Sequence, residues 1–129
     1  MIIDTSALVA VMRGESGCDE LMRTLAESRT TRISGGTLLE TGIVIDRLGD
    51  PVLSRRLDDL LEALDVAVEP VTPEQVRVGR QAYRDFGKGS GHPAALNFGD
   101  CFAYALARTA GAPLLFVGND FGHTDVSRA

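Results

Sequence analysis

Four acidic residues are placed along the chain so that their carboxylates can share one site: Asp4, Glu40, Asp100 and Asp120, called here the acidic quartet. Asp4 ends an N-terminal apolar segment, and Asp120 closely follows another apolar segment near the C-terminus. In an open parallel sheet, the loops after the strands gather at one edge, where ligands bind. If both segments are strands, the two carboxylates meet there, and helix starts can bring Glu40 and Asp100 to the same edge.

Taken singly, each acid has an ordinary structural explanation. Asp4 and Asp100 could cap helices, Glu40 could be a solvated helix residue, and Asp120 could belong to a turn. These separate explanations do not account for all four acids together, because Glu40 lies in an apolar segment and Asp4 ends a buried strand, where unpaired carboxylates are costly. The quartet therefore predicts a bound cation.

Oxygen ligands without His or Cys favour a hard divalent ion, Mg²⁺, with Mn²⁺ as its substitute. Metal-assisted phosphodiester hydrolysis uses three or four such acids. One ion generates the hydroxide nucleophile, and the same or a second ion stabilises the leaving oxygen.

The chain is acidic, with 13 basic residues against 18 acidic ones and a formal net charge of −5. This charge repels nucleic acid at long range unless basic groups cluster or metal ions offset the acids. One cluster is present, because Arg77, Arg80 and Arg84 recur at helical spacing, and Lys88 would extend the stripe if the helix continued. The stripe is a candidate RNA-backbone contact, and a solvated helix face is the alternative.

Two aromatic residues, Phe86 and Phe98, flank a glycine-rich connection that also holds His92. Stacking on RNA bases is one interpretation. We expect core packing for both Phe residues.

Four apolar or β-branched segments predict strands, at residues 1–4, 30–34, 66–71 and 114–117. Helical segments separate them, which indicates parallel pairing through crossovers and hence a three-layer α/β domain with a central parallel sheet flanked by helices. A length of 129 residues leaves little room for a second core, so residues 1–129 are expected to form one domain.

Local signals mark where the helices begin and end. Ser16 is expected to cap the second helix, while Asp50-Pro51 and Thr72-Pro73 open two later ones. Gly111 ends the last helix. Gly35-Gly36 is expected to separate a strand from a strongly apolar helix, which should be buried.

The segments around the quartet read MIIDTSALVAVM, LLETGIV, HPAALNFGDCFAYALA and LLFVGNDFGHTDV. Through them the chain resembles the PIN-domain ribonucleases, and within these the VapC toxins of bacterial toxin–antitoxin pairs. The resemblance spans nearly the whole chain and is weakest from about residue 50 to residue 80. It implies a Mg²⁺-dependent endoribonuclease acting on single-stranded or looped RNA, usually a homodimer, and held inactive by a VapB-like antitoxin.

By position, the quartet matches the acidic residues that the family uses for catalysis and metal binding. The family pattern adds Asp125 as a supporting acid near the site. Ser6 and Asn119 could orient the carboxylates or a metal-bound water, against a capping role for Ser6 and a turn role for Asn119.

A cytoplasmic ribonuclease needs an inhibitor, and the sequence suggests where one could bind. Six apolar residues in the helices after the first and second strands exceed what a small core must bury: Leu8, Val11, Met12, Leu21, Leu38 and Leu39. They could line a groove that receives an amphipathic antitoxin helix, whose Arg or Lys would enter the acidic pocket. The alternative is that all six are core.

Other features exclude several classes of protein. No apolar run is long enough to span a bilayer, and Asp4 interrupts the only N-terminal apolar stretch, which predicts a cytoplasmic protein. Cys18 and Cys101 are expected to be reduced thiols on helices.

Two alternatives to a nuclease stay open. One is a receiver-like Mg²⁺-binding signalling domain, although this chain lacks the mid-chain Asp and the late Lys that such a domain needs. The other is a catalytically inactive PIN-like module that binds RNA or protein.

Overall fold

A four-stranded parallel sheet forms the centre of the protein in a computed structural model that describes residues 1–129. Its strands are β1 (Ile2–Ile3), β2 (Arg32–Ser34), β3 (Ala67–Glu69) and β4 (Leu114–Leu115), in the spatial order β3-β2-β1-β4. Ile2 lies opposite Arg32 on one side and Leu114 on the other. Each strand falls within a predicted segment, so the parallel α/β fold is confirmed.

Helices connect the strands in pairs: α1 (Thr5–Met12), α2 (Cys18–Glu27), α3 (Gly35–Asp46), α4 (Pro51–Ala63), α5 (Pro73–Phe86) and α6 (Asp100–Ala110). Successive side chains of a strand point to opposite faces of the sheet. Accordingly, Ile2 and Leu114 pack against α5 and α6, whereas Ile3 and Leu115 pack against α1 and α2. The sheet therefore lies between two helical layers, as predicted.

Side-chain caps fix several helix starts. Asp50 and Thr72 accept hydrogen bonds from backbone N–H groups in the first turns of α4 and α5, which confirms both predicted starts. The prediction for Ser16 is wrong, because α2 begins at Cys18 and no side chain caps it. Gly17 precedes α2 with a φ of 87°, so the chain turns at this glycine and Ser16 lies outside the first turn.

Gly35 and Gly36 do not separate β2 from α3, because they are the first two residues of the helix. Ser34 caps α3 by accepting the Gly36 N–H at 3.3 Å. A Cβ atom at Gly36 would overlap the ring of Phe102 on α6. The glycine thus lets the starts of α3 and α6 approach closely.

Helix α3 is not buried as its apolar composition predicts. It buries Thr37, Thr41 and Ile45, whereas Leu39 is 66% exposed and Ile43 is also exposed. The buried residues recur every four positions and therefore form one stripe against the rest of the protein. Of the apolar side chains between them, Leu38 packs against the core, whereas Leu39, Ile43 and Val44 are exposed.

Both cysteines are free, with Cys18 in α2 and Cys101 in α6, as predicted. Burial raises the pKa of the Cys101 thiol to about 11. None of the helices combines the length and the apolar character that crossing a membrane requires.

Candidate active site

Four different elements bring the acidic quartet to the edge of the sheet where β1 and β4 end. Asp4 directly follows β1, and Asp120 follows β4 and precedes a short 3₁₀ turn. Glu40 lies in α3, and Asp100 is the first residue of α6. The charges of Asp4, Asp120 and Glu40 all raise the pKa of Asp100, so the four carboxylates share one electrostatic environment.

Asp4 is the most buried member of the quartet, with only 4% of its surface exposed. Its Oδ2 accepts hydrogen bonds from the Ser6 hydroxyl at 2.6 Å and from the Ser6 backbone N–H at 2.9 Å. Burial raises the pKa of Asp4, although the bonds from Ser6 act in the opposite direction. The helix cap of α1 is therefore Asp4 itself, not Ser6.

Ser6 makes the contact with the Asp4 carboxylate that its orienting interpretation requires. While its hydroxyl donates to Asp4, its Oγ accepts the backbone N–H of Val117 at 3.0 Å. Val117 lies just after β4, on the segment that leads to Asp120. One hydroxyl thus links the carboxylate after β1 to the backbone after β4.

Asp100 is held by a reciprocal pair of hydrogen bonds with Asn97. The Asn97 N–H donates to Asp100 Oδ2 at 2.8 Å, and the Asp100 N–H donates to Asn97 Oδ1 at 2.9 Å. Burial, followed by the charges of the other three acids, raises the pKa of Asp100 to about 6 despite the bond from Asn97. Sequence reasoning missed Asn97, although an Asn three residues before an Asp at a helix start is the available signal.

Gly99 is the second functional position that sequence reasoning missed. A Cβ atom at this residue would overlap the carboxylate of Glu40. Only glycine therefore lets Glu40 lie against the start of α6, beside Asp100. Burial and the charge of Asp4 raise the pKa of Glu40.

Three buried threonines connect the helices that carry Asp4 and Glu40. Thr41 Oγ1 donates to the Thr37 carbonyl at 2.9 Å and lies 3.1 Å from Thr5 Oγ1. The hydroxyl of Thr37 is fully buried and has no hydrogen-bond partner. The contact between Thr41 and Thr5 fixes the position of α3 against α1, next in sequence to Glu40 and Asp4.

No basic residue offsets the quartet. The ion pairs of the protein are Arg13–Glu15, Arg32–Glu69 and Arg108–Asp125, and none involves a quartet member. Four carboxylates without a basic partner are a donor set that suits a hard divalent cation. As positioned, however, no three acidic, His or Cys side chains are close enough to enclose a metal ion.

The sequence matches the model of a known family over nearly its full length, because the model described as PIN domain covers residues 1–127. The chain belongs to the PIN-domain family. It is also 54% identical to Ribonuclease VapC28 of Mycobacterium tuberculosis over 129 residues, which are 100% of this chain and 97% of that protein. Within the PIN-domain family it therefore belongs with the VapC ribonucleases, as its motifs indicated.

Solved structures share the PIN-domain fold. VapC20 of Mycobacterium tuberculosis, described as a toxin that cleaves the sarcin–ricin loop, has a TM-score of 0.77 and 19% identity, covering 99% of this chain and 97% of its own. A toxin–antitoxin complex from Klebsiella pneumoniae has a TM-score of 0.69 and 15% identity, covering 93% and 88%. At these identities the likeness establishes the fold.

Asp125 of this PIN domain lies apart from the quartet, contrary to the prediction. Its carboxylate accepts the hydroxyl of Tyr104 at 2.6 Å and pairs with Arg108 at 3.4 Å. Arg108 is in the last turn of α6, at the end opposite Asp100. The chain after Asp120 returns along β4, where Leu114 pairs with Arg128, and this carries Asp125 away from the site.

Asn119 lies in the exposed turn after β4, where its carbonyl accepts the Gly122 N–H at 3.0 Å. Its observed contact is therefore that of a turn residue, which was the alternative to an orienting role.

The basic stripe of the PIN domain is shorter than predicted. Arg77, Arg80 and Arg84 are exposed on α5 and form no ion pair. Helix α5 ends at Phe86, so Lys88 does not continue the stripe. Instead, the Lys88 N–H donates to the Leu96 carbonyl at 2.8 Å in the glycine-rich connection, which turns the chain away from the helix axis.

The two phenylalanines of this connection differ in environment. Phe86 packs against the core, as expected, and lies edge-on to His92 at 5.0 Å between ring centroids. Phe98 is 76% exposed, so the expectation that it is core is wrong. It lies just before Asp100, outside the helices that enclose the core.

Five of the six apolar residues assigned to an antitoxin groove are core residues. Leu8 and Met12 are buried, and Val11, Leu21 and Leu38 pack against the core beside α1. Only Leu39 is exposed. The groove predicted from these six residues is therefore absent, because α1 and α2 already cover their own apolar faces.

Proposed function

We propose that this PIN domain is a Mg²⁺-dependent endoribonuclease toxin that hydrolyses RNA phosphodiester bonds. The observation that carries the proposal is the acidic quartet, in which four carboxylates from four elements share one edge of the sheet without a basic partner. The 54% identity to a VapC ribonuclease supports the same activity. The match to the PIN-domain model leaves no support for a receiver domain.

In this proposal Asp4, Glu40, Asp100 and Asp120 hold the metal, for which Mn²⁺ can substitute. An ion held by these four acids would supply activation of the attacking water and charge stabilisation of the leaving oxygen. Ser6 keeps the Asp4 carboxylate in position, and Asn97 does the same for Asp100. Because the pKa of Asp100 is about 6, this carboxyl is mostly ionised at pH 7 and available as a ligand.

RNA cleavage by purified protein tests the proposal. We expect cleavage of single-stranded or looped RNA in Mg²⁺, loss of cleavage with a chelator, and loss in Asp100→Asn. Asp58→Asn is the matched control, because Asp58 is an exposed acid on α4 outside the quartet. If wild type freed of antitoxin cleaves none of a broad RNA panel, the PIN domain is a binding module and the proposal is wrong.

We also propose that a VapB-like antitoxin neutralises the protein in the cytoplasm and that the chain forms a homodimer. The fold shared with the Klebsiella pneumoniae toxin–antitoxin complex supports the antitoxin. Exposed apolar side chains on α3, the following turn and the start of α4 support association with protein partners: Leu39, Ile43, Val44, Leu48 and Val52.

Expression alone should arrest growth, and co-expression of the small protein encoded beside it should rescue growth. Asp4→Ala should cause no arrest. Equal toxicity of wild type and Asp4→Ala would contradict the proposed link between toxicity and cleavage. Sedimentation velocity of purified protein tests the dimer, which a monomer at micromolar concentration would exclude.

A further inference from the structure

A cavity of about 600 Å³ lies between α5 and α6, outside the acidic quartet. Its size is within the roughly 300–1,000 Å³ of small-molecule sites. The helices approach closely at its floor, where a Cβ atom at Gly79 would lie 3.2 Å from the carbonyl oxygen of Cys101. Its walls are largely apolar.

Aromatic rings form one side of the cavity. Phe98 and Phe102 are in edge-to-face contact, with 5.0 Å between centroids and an interplanar angle of 80°. Phe98 is largely exposed, and Tyr83 is partly exposed, with its hydroxyl donating to the Lys88 carbonyl at 3.3 Å. An exposed ring beside an apolar cavity is the arrangement on which proteins stack unpaired bases.

One polar side chain lines the same cavity and has no hydrogen-bond partner in the protein. Gln75 lines the cavity and is only 7% exposed, yet its side-chain amide forms no hydrogen bond. The amide atoms are open to solvent, so they can both donate to and accept from a ligand. The edge of a nucleobase offers the matching donors and acceptors.

The charge of the cavity also fits a nucleotide. Arg80 and Arg84 line it, and no Asp or Glu does, although the chain as a whole carries a net charge of −5. Only Gly99 separates Phe98 from Asp100, so the aromatic wall directly adjoins the acidic quartet. The guanidinium groups of Arg80 and Arg84 can contact phosphates, while the apolar walls of the cavity can hold the ring of a base.

We propose that this cavity is a nucleobase subsite for a nucleotide flanking the cleaved phosphodiester. Phe98 stacks on the base, Gln75 hydrogen-bonds its edge, and Arg80 and Arg84 contact the phosphates. The inference rests on the ribonuclease activity proposed above and adds to it a physical source of sequence preference. The exposed Phe98 ring, together with two arginines and no Asp or Glu in the lining, favours RNA over a protein partner for this cavity.

Binding of short single-stranded RNA by fluorescence anisotropy tests the subsite, in an Asp100→Asn background that prevents cleavage. Adding Phe98→Ala should weaken binding roughly tenfold, and Phe98→Trp should restore it. Val68→Ala is the matched control, because it removes an exposed apolar side chain from β3 that does not line the cavity. Gln75→Leu should retain stacking and lose preference among the four bases at one position.

An abasic scan of the same RNA provides the sharper readout. One abasic position should weaken binding to the Asp100→Asn protein as much as Phe98→Ala does, and it should not weaken the Phe98→Ala protein further. Additive losses at every position would overturn the subsite. So would dissociation of a dimer by Phe98→Ala with unchanged RNA affinity, since the cavity would then be an interface between copies.

Failure of the subsite is distinguishable from failure of the proposed activity. If wild type cleaves RNA and the abasic scan is flat, the ribonuclease stands and the subsite is wrong. If wild type does not cleave but the scan identifies one stacked base, the subsite stands as an RNA-binding site and the activity is wrong.

Discussion

The two ends of helix α6 hold carboxylates in opposite ways. Beside its C-terminal end, Asp125 has a complete set of partners in Tyr104 and Arg108. At its N-terminal end, Asp100 has one backbone donor from Asn97 and three acidic neighbours. Acids whose charge is satisfied within the fold stabilise structure, whereas acids left with like charges need a ligand from outside. This contrast separates Asp100 from Asp125.

The largest expected effect comes from Gly99→Ala, a substitution that adds one methyl group and changes no charge. Gly99→Ala inserts a Cβ atom where the Glu40 carboxylate lies, so this carboxylate must swing away from the start of α6. We expect cleavage to fall on the order of 100-fold, as for other displacements of about 1 Å at active sites. Gly42→Ala is the control, because its Cβ meets open space on α3 and activity should not change. Equal activity of the two variants in an RNA-cleavage assay would show that Glu40 need not contact the start of α6.

A smaller loss is expected when the Asp4 carboxylate loses its orienting hydroxyl. Ser6→Ala removes the bond to Asp4 and leaves the Val117 N–H without its acceptor. Cleavage and apparent Mg²⁺ affinity should fall roughly tenfold, within the range for groups that orient metal ligands. Ser6→Thr keeps the hydroxyl and should restore both. A loss of stability in Ser6→Ala with unchanged Mg²⁺ affinity would assign Ser6 a purely structural role.

Substitutions at the two ends of α6 should change stability with opposite signs. Asp125→Ala leaves the hydroxyl of the buried Tyr104 without its acceptor and should cost about 1–2 kcal/mol of the free energy of unfolding, while cleavage persists. Asp100→Asn removes repulsion and keeps an oxygen for the Asn97 N–H. In metal-free protein it should stabilise by about 1 kcal/mol, since solvent screening at this half-buried site reduces the full effect of the pKa shift. Urea unfolding measures both, and destabilisation by Asp100→Asn would contradict the contrast.

The pH dependence follows from the raised pKa of Asp100. Because the folded state raises this pKa to about 6, it binds more protons than the unfolded state between about pH 4 and pH 6. Metal-free wild type should therefore lose about 1 kcal/mol of stability as pH rises through this window, again reduced by solvent screening, and Asp100→Asn should lose less. Mg²⁺ affinity should rise over the same window, because the metal competes with the proton. A metal-free stability that increases through this window would be the contrary result.

The sequence was sufficient where a signal is local and periodic. The caps Asp50 and Thr72 precede proline in the first turn, so their helices were predicted with their starts. The sequence places Asp4 and Asp120 at one edge because the loops after parallel strands converge there. Ile2 and Ile3 pack in different core clusters, because successive side chains of a strand point to opposite faces of the sheet.

The sequence was insufficient where distant segments decide the environment of a residue. Apolar composition could not reveal that α3 turns Leu39 and Ile43 outward, because the threonines it buries meet α1 only in the folded chain. The displacement of Asp125 depends on how the C-terminal segment returns along β4. The requirement for glycine at position 99 depends on Glu40, which is remote in sequence.

The measurement that tests the account most directly is the melting temperature of wild type in Mg²⁺, compared with Asp100→Asn. Preferential binding to the native state at 100 times the dissociation constant stabilises by about 2.7 kcal/mol, which corresponds to roughly 10 °C for a domain of this size. We predict such a shift for wild type, a similar shift with Mn²⁺, and loss of most of it in Asp100→Asn. An unchanged melting temperature of wild type in millimolar metal would contradict the claim that the acidic quartet is a metal site.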